Sequence, residues 1–435
     1  MSADGRAKAG LPAREAAQAI LGEVLRKRRP LDAAIDDVLG RAALSARDAG
    51  FARAIAGETL RRFGQLDALV RAFVSKPPPP HKAGPTLELL LAGACELLFL
   101  GVPAHAAVDA ANDMAARDNK AKHFKPLINA ALRRMAREGA SLRDAQDAQR
   151  LDTADWLWTR WCETYGEETT RAIADVHARQ PPLDLVMKSE PIAIETATQL
   201  PGGILRLGET ARVDSLPGYG EGTWWVQDFA ATLPVRFLGD VKGKPAIDLC
   251  AAPGGKTAQL AAMGARVTAV ERDPERMVRL KDNLKRLRLA ADCVEQDMRD
   301  FTPEMRAPFV LLDAPCSATG TIRRHPELPW IKSAADVTQC ADAADELLDA
   351  AADMVADGGL LVFAVCSLEP EEGPEQIDAF LARRGDFRRA PLKADDVFGL
   401  TELITEDGDL RTLPCHMAGQ GGMDGFYAAR LVRSG

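Results

Sequence analysis

Two cysteines follow short apolar runs in the second half of the sequence. Cys316 comes shortly after the run 309–312, and Cys366 comes directly after the run 360–365. If both runs are strands of one open α/β sheet, both cysteines lie at the edge where such sheets bind ligands. A single cysteine in this setting is more often a small buried hydrophobic residue. The matched positions instead predict two thiols that face one crevice.

Two neighbouring thiols can carry out covalent catalysis on a pyrimidine ring. Carbon 5 of cytosine is a poor nucleophile, but addition of a thiolate to carbon 6 gives an enamine that can attack a sulfonium methyl group. The thiolate is the reactive form, so the site must favour it. Asp313, the nearest acid in the sequence, is the candidate to protonate or hydrogen-bond ring nitrogen 3. A second cysteine can assist release of the first.

A glycine-rich segment precedes both cysteines. Residues 247–257, with the sequence IDLCAAPGGKT, fit a strand that enters a turn and opens a helix. In a doubly wound sheet this is where a nucleotide-like cofactor binds, because glycines let the backbone approach the ligand. Glu271 ends the next predicted strand, where a carboxylate can accept hydrogen bonds from ribose hydroxyls.

The same segment has a competing interpretation as the phosphate-binding loop of an ATPase. It differs from G-x-x-x-x-G-K-[ST] only by Cys250 at the first glycine, and residues 309–313 resemble the strand that follows in such proteins. However, Pro253 removes one backbone N–H from the loop, and Cys250 replaces the glycine that allows a tight turn. We therefore favour a different cofactor over a nucleoside triphosphate.

These residues need a scaffold, and the patterns around them supply one. From residue 246, apolar runs at 246–249, 266–270, 309–312 and 360–365 alternate with helical patterns near 258–263, 274–287, 334–354 and 375–383. Such alternation predicts a mainly parallel, doubly wound sheet. Upstream, the runs 183–187 and 203–207 predict short strands separated by turns, with the pair Trp224 and Trp225 nearby. Packing at a domain boundary is the favoured role for both tryptophans, ahead of stacking on RNA bases.

The front of the chain has a different pattern. Apolar residues recur at three- and four-residue spacing over 13–74 and 87–135, which predicts two helical groups, and the proline run 77–80 predicts a loop between them. Residues 1–150 contain 24 Lys and Arg against 17 Asp and Glu, a balance of +7, and the remaining residues contain 31 against 46, a balance of −15. A basic module on an acidic chain is typical of nucleic-acid binding, because phosphate attraction is local.

Composition excludes several other classes of protein. The chain has 435 residues, with 46% hydrophobic and 27% charged residues, which predicts a globular protein of more than one domain. Its eight cysteines show no zinc or disulfide spacing, so we expect reduced thiols, a cytoplasmic location and no metal. The apolar run 87–102 contains Glu88 and Glu96, which favours a buried helix over a membrane span.

The motifs resemble those of a known family. They are DLCAAPGGKT (248–257), AVERDPERMVRLKDNLKRL (269–287), EQDMRDF (295–301), LLDAPCSATGTIRRHPEL (311–328), VCSLEPEE (365–372) and GGMDGFYAARL (421–431). Over nearly its whole length the chain resembles the RNA cytosine-5 methyltransferases with two active-site cysteines, specifically the bacterial RsmB/Sun-like enzymes that modify small-subunit ribosomal RNA. DAPCSATG together with RRHP is the most specific match, and the basic front resembles a NusB-type RNA-binding domain.

The resemblance implies roles for individual residues. Cys366 would be the nucleophile, Cys316 would promote product release, and Asp313 would assist. The cofactor would be S-adenosyl-L-methionine, held by Cys250, Ala251, Ala252, Pro253, Gly254, Gly255, Lys256, Glu271, Asp297 and Asp313. The chain departs from the family pattern at Glu271, where Asp is more usual, at Val365, where Thr commonly precedes the nucleophile, and at residues 295–296 before Asp297. None of these departures removes a catalytic group.

The resemblance also implies an architecture and a substrate. It predicts an all-α NusB-like domain over 1–145, a small α+β connecting region over 146–232 and a Rossmann-like methyltransferase domain over 233–435. The expected reaction is methylation of carbon 5 of a cytosine in 16S ribosomal RNA by a monomer that needs no membrane. Methylation of transfer RNA is the alternative, and a non-catalytic RNA-binding module is less favoured because it leaves the two cysteines without a role. Arg323, Arg324 and His325 are candidates to hold RNA phosphates, or else form an exposed basic loop.

Overall fold

The computed structural model of the protein describes residues 10–188, 194–208 and 213–435. Internal contacts divide the chain into a helical unit, made of Met1–Ala178 with His325–Ser333, and a sheet unit, made of Arg179–Arg324 with Ala334–Gly435. The predicted division into 1–145, 146–232 and 233–435 stays a prediction, and the two contact-defined units divide the chain at other residues.

The helical unit is built from amphipathic helices, as the apolar spacing predicts. Its core includes Leu90 and Leu132, both fully buried. Glu96 is buried in the same unit and is neutralised by Arg14, with 2.6 Å between Oε2 and Nη2. The helices are α1 (Leu11–Lys27), α2 (Leu31–Arg41), α3 (Ala46–Arg61), α4 (Phe63–Phe73), α5 (Pro80–Ala83), α6 (Thr86–Leu98), α7 (Ala104–Arg117), α8 (Lys125–Asp144), α9 (Ala148–Leu151), α10 (Asp155–Tyr165) and α11 (Glu167–His177).

The predicted buried helix over 87–102 corresponds to α6, and both of its acidic residues are buried. Within the proline run, residues 77–79 have no regular structure and Pro80 begins α5. Among the described residues, no helix combines the length and the apolar character that crossing a membrane requires.

The sheet unit contains a small antiparallel sheet with the strand order β2-β3-β1-β4. Trp224 and Trp225 are almost completely buried, which confirms packing over base stacking as their role. Asp184 links this sheet to the following helix, because its carboxylate pairs with Arg206 and accepts a bond from the backbone N–H of Phe229 at 2.9 Å. The strands are β1 (Leu183–Met187), β2 (Ala197–Gln199), β3 (Leu205–Leu207) and β4 (Trp224–Val226).

The main sheet has the order β10-β12-β9-β8-β5-β6-β7, with β11 paired to β12. The five strands from β9 to β7 in that order are parallel, as predicted, whereas β10, β11 and β12 add an antiparallel edge that the sequence patterns did not reveal. The strands are β5 (Pro245–Leu249), β6 (Arg266–Glu271), β7 (Asp292–Glu295), β8 (Ala307–Asp313), β9 (Val355–Val365), β10 (Phe387–Arg389), β11 (Leu410–Thr412) and β12 (Phe426–Arg433).

Helices cover both faces of this sheet, which makes it doubly wound. Alternate residues of β9 enter different hydrophobic clusters: Val362 packs in the cluster that contains Phe229, and Phe363 packs in the cluster that contains Leu348 and Phe380. The remaining helices are α12 (Phe229–Arg236), α13 (Gly255–Ala262), α14 (Pro274–Leu287), α15 (Leu328–Ile331), α16 (Ala334–Asp353) and α17 (Pro374–Arg383). All four helices predicted after residue 246 are present.

The short helix α15 belongs to the helical unit, although in the sequence it lies between segments of the sheet unit. The indole Nε1 of Trp330 donates to the backbone carbonyl of Leu60 at 3.0 Å, and its ring lies 4.7 Å from that of Phe63. The guanidinium of Arg28 donates to the carbonyl of Ile331 at 2.6 Å. These contacts explain why the segment groups with the N-terminal helices.

A pair of glycines in the helical unit gives a test of this packing. At Gly64 in α4 an added Cβ would lie 1.7 Å from the carbonyl oxygen of Leu151, whereas at Gly57 in α3 it would meet nothing within 4 Å. We expect Gly64→Ala to destabilise the unit by about 1–3 kcal/mol through overpacking. Gly57→Ala should stabilise it by about 0.5–1 kcal/mol, because alanine favours the helix. Chemical denaturation followed by circular dichroism measures both, and equal effects of the two substitutions would contradict the packing.

Candidate active site

The two cysteines meet at the end of two parallel neighbouring strands. β8 and β9 pair up to Asp313 and Ala364, and the ladder is extended by a bond of 2.9 Å from the N–H of Ala314 to the carbonyl of Ala364. Both strands therefore deliver the following residues to the same edge of the sheet. The Sγ atoms of Cys316 and Cys366 lie 3.4 Å apart, and both residues are partly exposed. The structure thus brings the two predicted thiols together at one edge of the sheet.

The environment of Cys316 disfavours its ionisation. The hydrogen bond to Cys366 raises the pKa of the Cys316 thiol well above its usual value, and burial adds to the effect. Because the thiolate is the reactive form, Cys316 is the weaker candidate for the nucleophile, and Cys366 is left as the candidate of the pair.

A tight turn behind the thiols connects them to the C-terminal strand. The N–H of Gly320 donates to the carbonyl of Cys366 at 3.1 Å, and the N–H of Gly425 donates to the carbonyl of Gly320 at 2.8 Å. A Cβ at residue 320 would lie 1.9 Å from the carbonyl oxygen of Gly425. The close approach of the two backbones thus requires glycine at this position.

Two arginines at the end of this turn have different environments. The side chain of Arg323 is fully buried, with Nε 2.9 Å from Oδ1 of Asp424 and Nη2 in contact with Asp228. The prediction that Arg323 holds an RNA phosphate is therefore wrong, since its guanidinium is inside the protein. Arg324 also pairs with Asp424, but its side chain remains 39% exposed. His325 lies in the helical unit, 3.8 Å from the carboxylate of Asp32.

The glycine-rich turn forms as predicted between β5 and α13. Cys250 has a φ of 59° and Gly254 a φ of 100°, so a left-handed backbone occurs at the position where an ATPase loop has its first glycine. The inference that Cys250 prevents such a turn is wrong, because the cysteine itself adopts that conformation. The stronger argument against a triphosphate comes from Lys256, whose Nζ pairs with Asp313 Oδ2 at 2.7 Å and is almost completely buried.

A cleft opens beside the turn. Glu271 is nearly buried at its floor, where Oε2 accepts from the N–H of Ala252 at 3.3 Å and Oε1 from that of Asp273 at 3.0 Å. Arg299 holds Asp297 through two bonds and lowers the pKa of that carboxyl to about 2, so it stays ionised. The lining consists of Cys250, Val270, Glu271, Arg272, Arg276, Gln296, Asp297, Met298, Pro315 and Leu347.

The structure does not bring all of the predicted cofactor residues to this cleft. Cys250, Glu271 and Asp297 line it, whereas Pro253, Gly254 and Gly255 line a separate hollow together with Trp225, Val226 and Asn283. Ala251, Ala252, Lys256 and Asp313 line neither cavity. Ala252 bonds to Glu271, and Lys256 bonds to Asp313. These two bonds stabilise the turn.

The comparisons with known proteins agree with this arrangement. The sequence model described as 16S rRNA methyltransferase RsmB/F matches residues 236–432, and that of the NusB family matches residues 11–137. Ribosomal RNA small subunit methyltransferase B of Cronobacter sakazakii is 33% identical over 439 residues, covering 96% of this chain and 97% of that protein. The chain belongs to the RsmB/F family of 16S rRNA methyltransferases.

Further relatives agree with this membership. The corresponding methyltransferase B of Sodalis glossinidius is 34% identical over 427 residues, covering 90% of this chain and 92% of that protein. The crystal structure of PH0851 has a TM-score of 0.79 at 23% identity and covers 98% of this chain and 99% of that one, which shows the shared fold. The predicted two-part fold, a NusB-like helical part and a Rossmann-like methyltransferase part, is thereby confirmed. The chain is an S-adenosylmethionine-dependent RNA methyltransferase.

The residues at the cleft fit that cofactor. Glu271 supplies a carboxylate at the end of β6, where ribose hydroxyls bind in such folds. Asp248 in β5 does not line the cleft and is completely buried; Thr257 Oγ1 donates to its Oδ2 at 2.5 Å, and its Oδ1 has no hydrogen-bond partner among the described residues. Burial raises the pKa of this carboxyl to about 7. Met298 and Leu347 give the cleft apolar walls.

Several residues that shape the site were not predicted from the sequence. Met298, Arg272 and Arg276 lie within the quoted motifs EQDMRDF and AVERDPERMVRLKDNLKRL, but the motifs assign them no role, and Leu347 lies outside every quoted motif. Asp228 and Asp424 carry the buried arginine, and Glu372 lies beneath both cysteine loops. Glu372 and Asp424 do lie within the quoted motifs VCSLEPEE and GGMDGFYAARL, but no spacing rule assigns them a partner.

The neighbouring arginines provide a test of this burial. Arg323→Met removes the cation between two buried carboxylates, so we expect a loss of about 3–5 kcal/mol in the stability of the sheet unit. Arg324→Met, at a half-exposed position, should cost less than about 1 kcal/mol. Urea denaturation of both variants, followed by intrinsic fluorescence, gives the comparison. Similar stability of the two proteins would show that Arg323 is not held as described.

Proposed function

We propose that this chain methylates carbon 5 of a cytosine in 16S ribosomal RNA through a covalent adduct with Cys366. The single observation that supports this mechanism most directly is the sulfur pair, with Cys316 and Cys366 Sγ 3.4 Å apart at the end of β8 and β9. S-adenosylmethionine supplies an electrophilic methyl group when it is bound. The protein must supply the thiolate, the orientation of the base and a path for the proton.

In the proposed reaction the Cys366 sulfur bonds to carbon 6 of the cytosine, and carbon 5 gains the electron density that lets it take the methyl group. The thiol proton of Cys316 stabilises the negative charge on Cys366 before the attack. Asp313 is the candidate acid at ring nitrogen 3, and its carboxylate is a third exposed and oriented by Lys256.

Release of the product requires loss of the carbon 5 proton and breakage of the bond from Cys366 to carbon 6. The largest cause of the raised pKa of Cys316 is its hydrogen bond to Cys366. Once Cys366 is bonded to carbon it accepts that hydrogen bond less strongly, so Cys316 becomes easier to deprotonate. After it has passed its own proton to solvent, the Cys316 thiolate can accept the proton from carbon 5. The two cysteines thereby exchange roles within one catalytic cycle.

The helical unit is the proposed RNA-binding part, within the NusB-like region 1–145. Several exposed cations lie on the turn before α8 and along α8 itself, where they can meet phosphates. They are Lys120, Lys122, Lys125, Arg133, Arg134 and Arg137. The target base must leave any stack to reach Cys366, which is least costly in a loop or single strand. We further propose that the protein acts as a monomer in the cytoplasm, since both cysteines and the cleft come from one chain.

Substitution of each cysteine tests the mechanism. We expect Cys366→Ala to abolish methyl transfer, because the proposed bond from Cys366 to carbon 6 can no longer form. Cys316→Ala should instead accumulate a covalent complex with RNA, because release is blocked. Denaturing gels with labelled RNA detect the adduct, and methyl incorporation from labelled cofactor measures turnover. Cys162→Ala, in the helical unit, is the matched control, and full activity of the Cys366 variant would reject the assignment.

The substrate is tested in cells. Deletion of the gene should remove one 5-methylcytosine from 16S ribosomal RNA, and expression of the intact protein, but not of its Cys366→Ala variant, should restore it. Bisulfite sequencing of total RNA measures every such mark at once. Loss of marks from transfer RNA alone, with the ribosomal marks intact, would favour the alternative substrate.

A further inference from the structure

Each cysteine of the pair is followed by a serine, and both serines are buried against one carboxylate. The N–H and the Oγ of Ser317 donate to the two oxygens of Glu372, each at 2.6 Å. Ser367 Oγ donates to the same carboxylate, and the two hydroxyl oxygens lie 3.4 Å apart. Both serines are completely buried, and Glu372 is 1% exposed. One side chain thus holds the residues directly after Cys316 and Cys366.

A second set of bonds joins the same loops around this carboxylate. Thr319 Oγ1 accepts from the N–H of Leu368 at 3.0 Å and lies 3.3 Å from Ser367 Oγ. Ser367 Oγ also accepts from the N–H of Glu369 at 3.0 Å. The loop after β8 and the loop after β9 are therefore joined directly through Thr319 as well as through Glu372, which accepts bonds from both of them.

We propose that Glu372 is a positioning residue that sets the separation of the two catalytic sulfurs. It acts through Ser317 and Ser367, which are covalently next to the cysteines, and it does not itself face the crevice. The inference rests on the proposed roles of Cys366 and Cys316. A carboxylate suits this position because it only accepts hydrogen bonds, and three donors converge on it.

The regular backbone structure around Glu372 fixes its position. It ends the 3-10 turn Pro370–Glu372, which lies immediately before α17. A shift of about 1 Å in a reacting group can reduce a rate by about a hundredfold, so a side chain that fixes two loops at once affects both attack and release.

A chemical test reports the sulfur separation without any RNA. Diamide oxidises the two thiols to a disulfide, taking two electrons and two protons to become its hydrazine, and mass spectrometry of the linked peptides follows the reaction. In Glu372→Ala we expect the bond between Cys316 and Cys366 to form at least about tenfold more slowly than in the intact protein. Glu372→Gln, which keeps the volume and one acceptor oxygen, should be intermediate. Glu375→Gln, at an exposed carboxylate in the same segment, should match the intact protein.

A second measurement separates positioning from general loss of structure. The affinity for S-adenosylmethionine should stay within about twofold in Glu372→Gln, whereas single-turnover methylation and release of the covalent complex should both slow by about tenfold or more. Oxidation and turnover at the rates of the intact protein would overturn the inference. If Cys366→Ala stays active while Glu372→Ala still slows the disulfide, the proposed mechanism fails and the positioning role stands.

Discussion

The parallel pairing of β8 and β9 is the constraint on which the rest of the site depends. Because both strands run in the same direction and end at the same level, the loops that carry the two cysteines leave at one edge. The register is fixed by burial on both faces of the sheet, since Val362 and Phe363 pack in different clusters. A slip of one residue would exchange the faces of every side chain on the strand, so the hydrophobic core also sets the distance between the sulfurs.

Near these two strands, buried charged side chains fix the relative positions of chain segments more than they stabilise the fold. Arg323 is enclosed with Asp228 and Asp424, and burying three charges is costly unless each one is compensated. The arrangement joins three distant parts of the chain: the start of α12, the turn after Cys316 and the start of β12. Apolar residues could fill the same volume, but they would not fix the turn and the C-terminal strand in one relative position. We interpret the network as support that keeps the thiol-bearing turn in place.

Sequence patterns predicted the parts of the fold that follow from local periodicity, and α14 has the predicted bounds 274–287. The pairing of the two cysteines was also predictable, because position after a strand is a local property. The antiparallel strand β12 was not, since its sequence FYAARLVR contains two arginines and has no clean alternation. Arg323 and Arg324 are neighbours of the same residue type, so no sequence pattern could predict that only the side chain of Arg323 is buried. Their difference arises from Asp228, which lies 95 residues away in the chain. The role of Glu372 likewise depends on partners brought together only by the folded chain.

The uneven distribution of charge along the chain explains how an RNA methyltransferase can have a net charge of −8. The cleft is not itself acidic, because its carboxylates Glu271 and Asp297 are matched by Arg272 and Arg276. The excess of negative charge lies along residues 151–435, whose balance is −15, whereas residues 1–150 have a balance of +7. Attraction of a phosphate backbone is local, so the first 150 residues can supply it although the chain as a whole is acidic. Separating the two tasks leaves Glu271 to the ribose hydroxyls of the cofactor, while the positive charge that can attract a polyanion lies in another part of the chain.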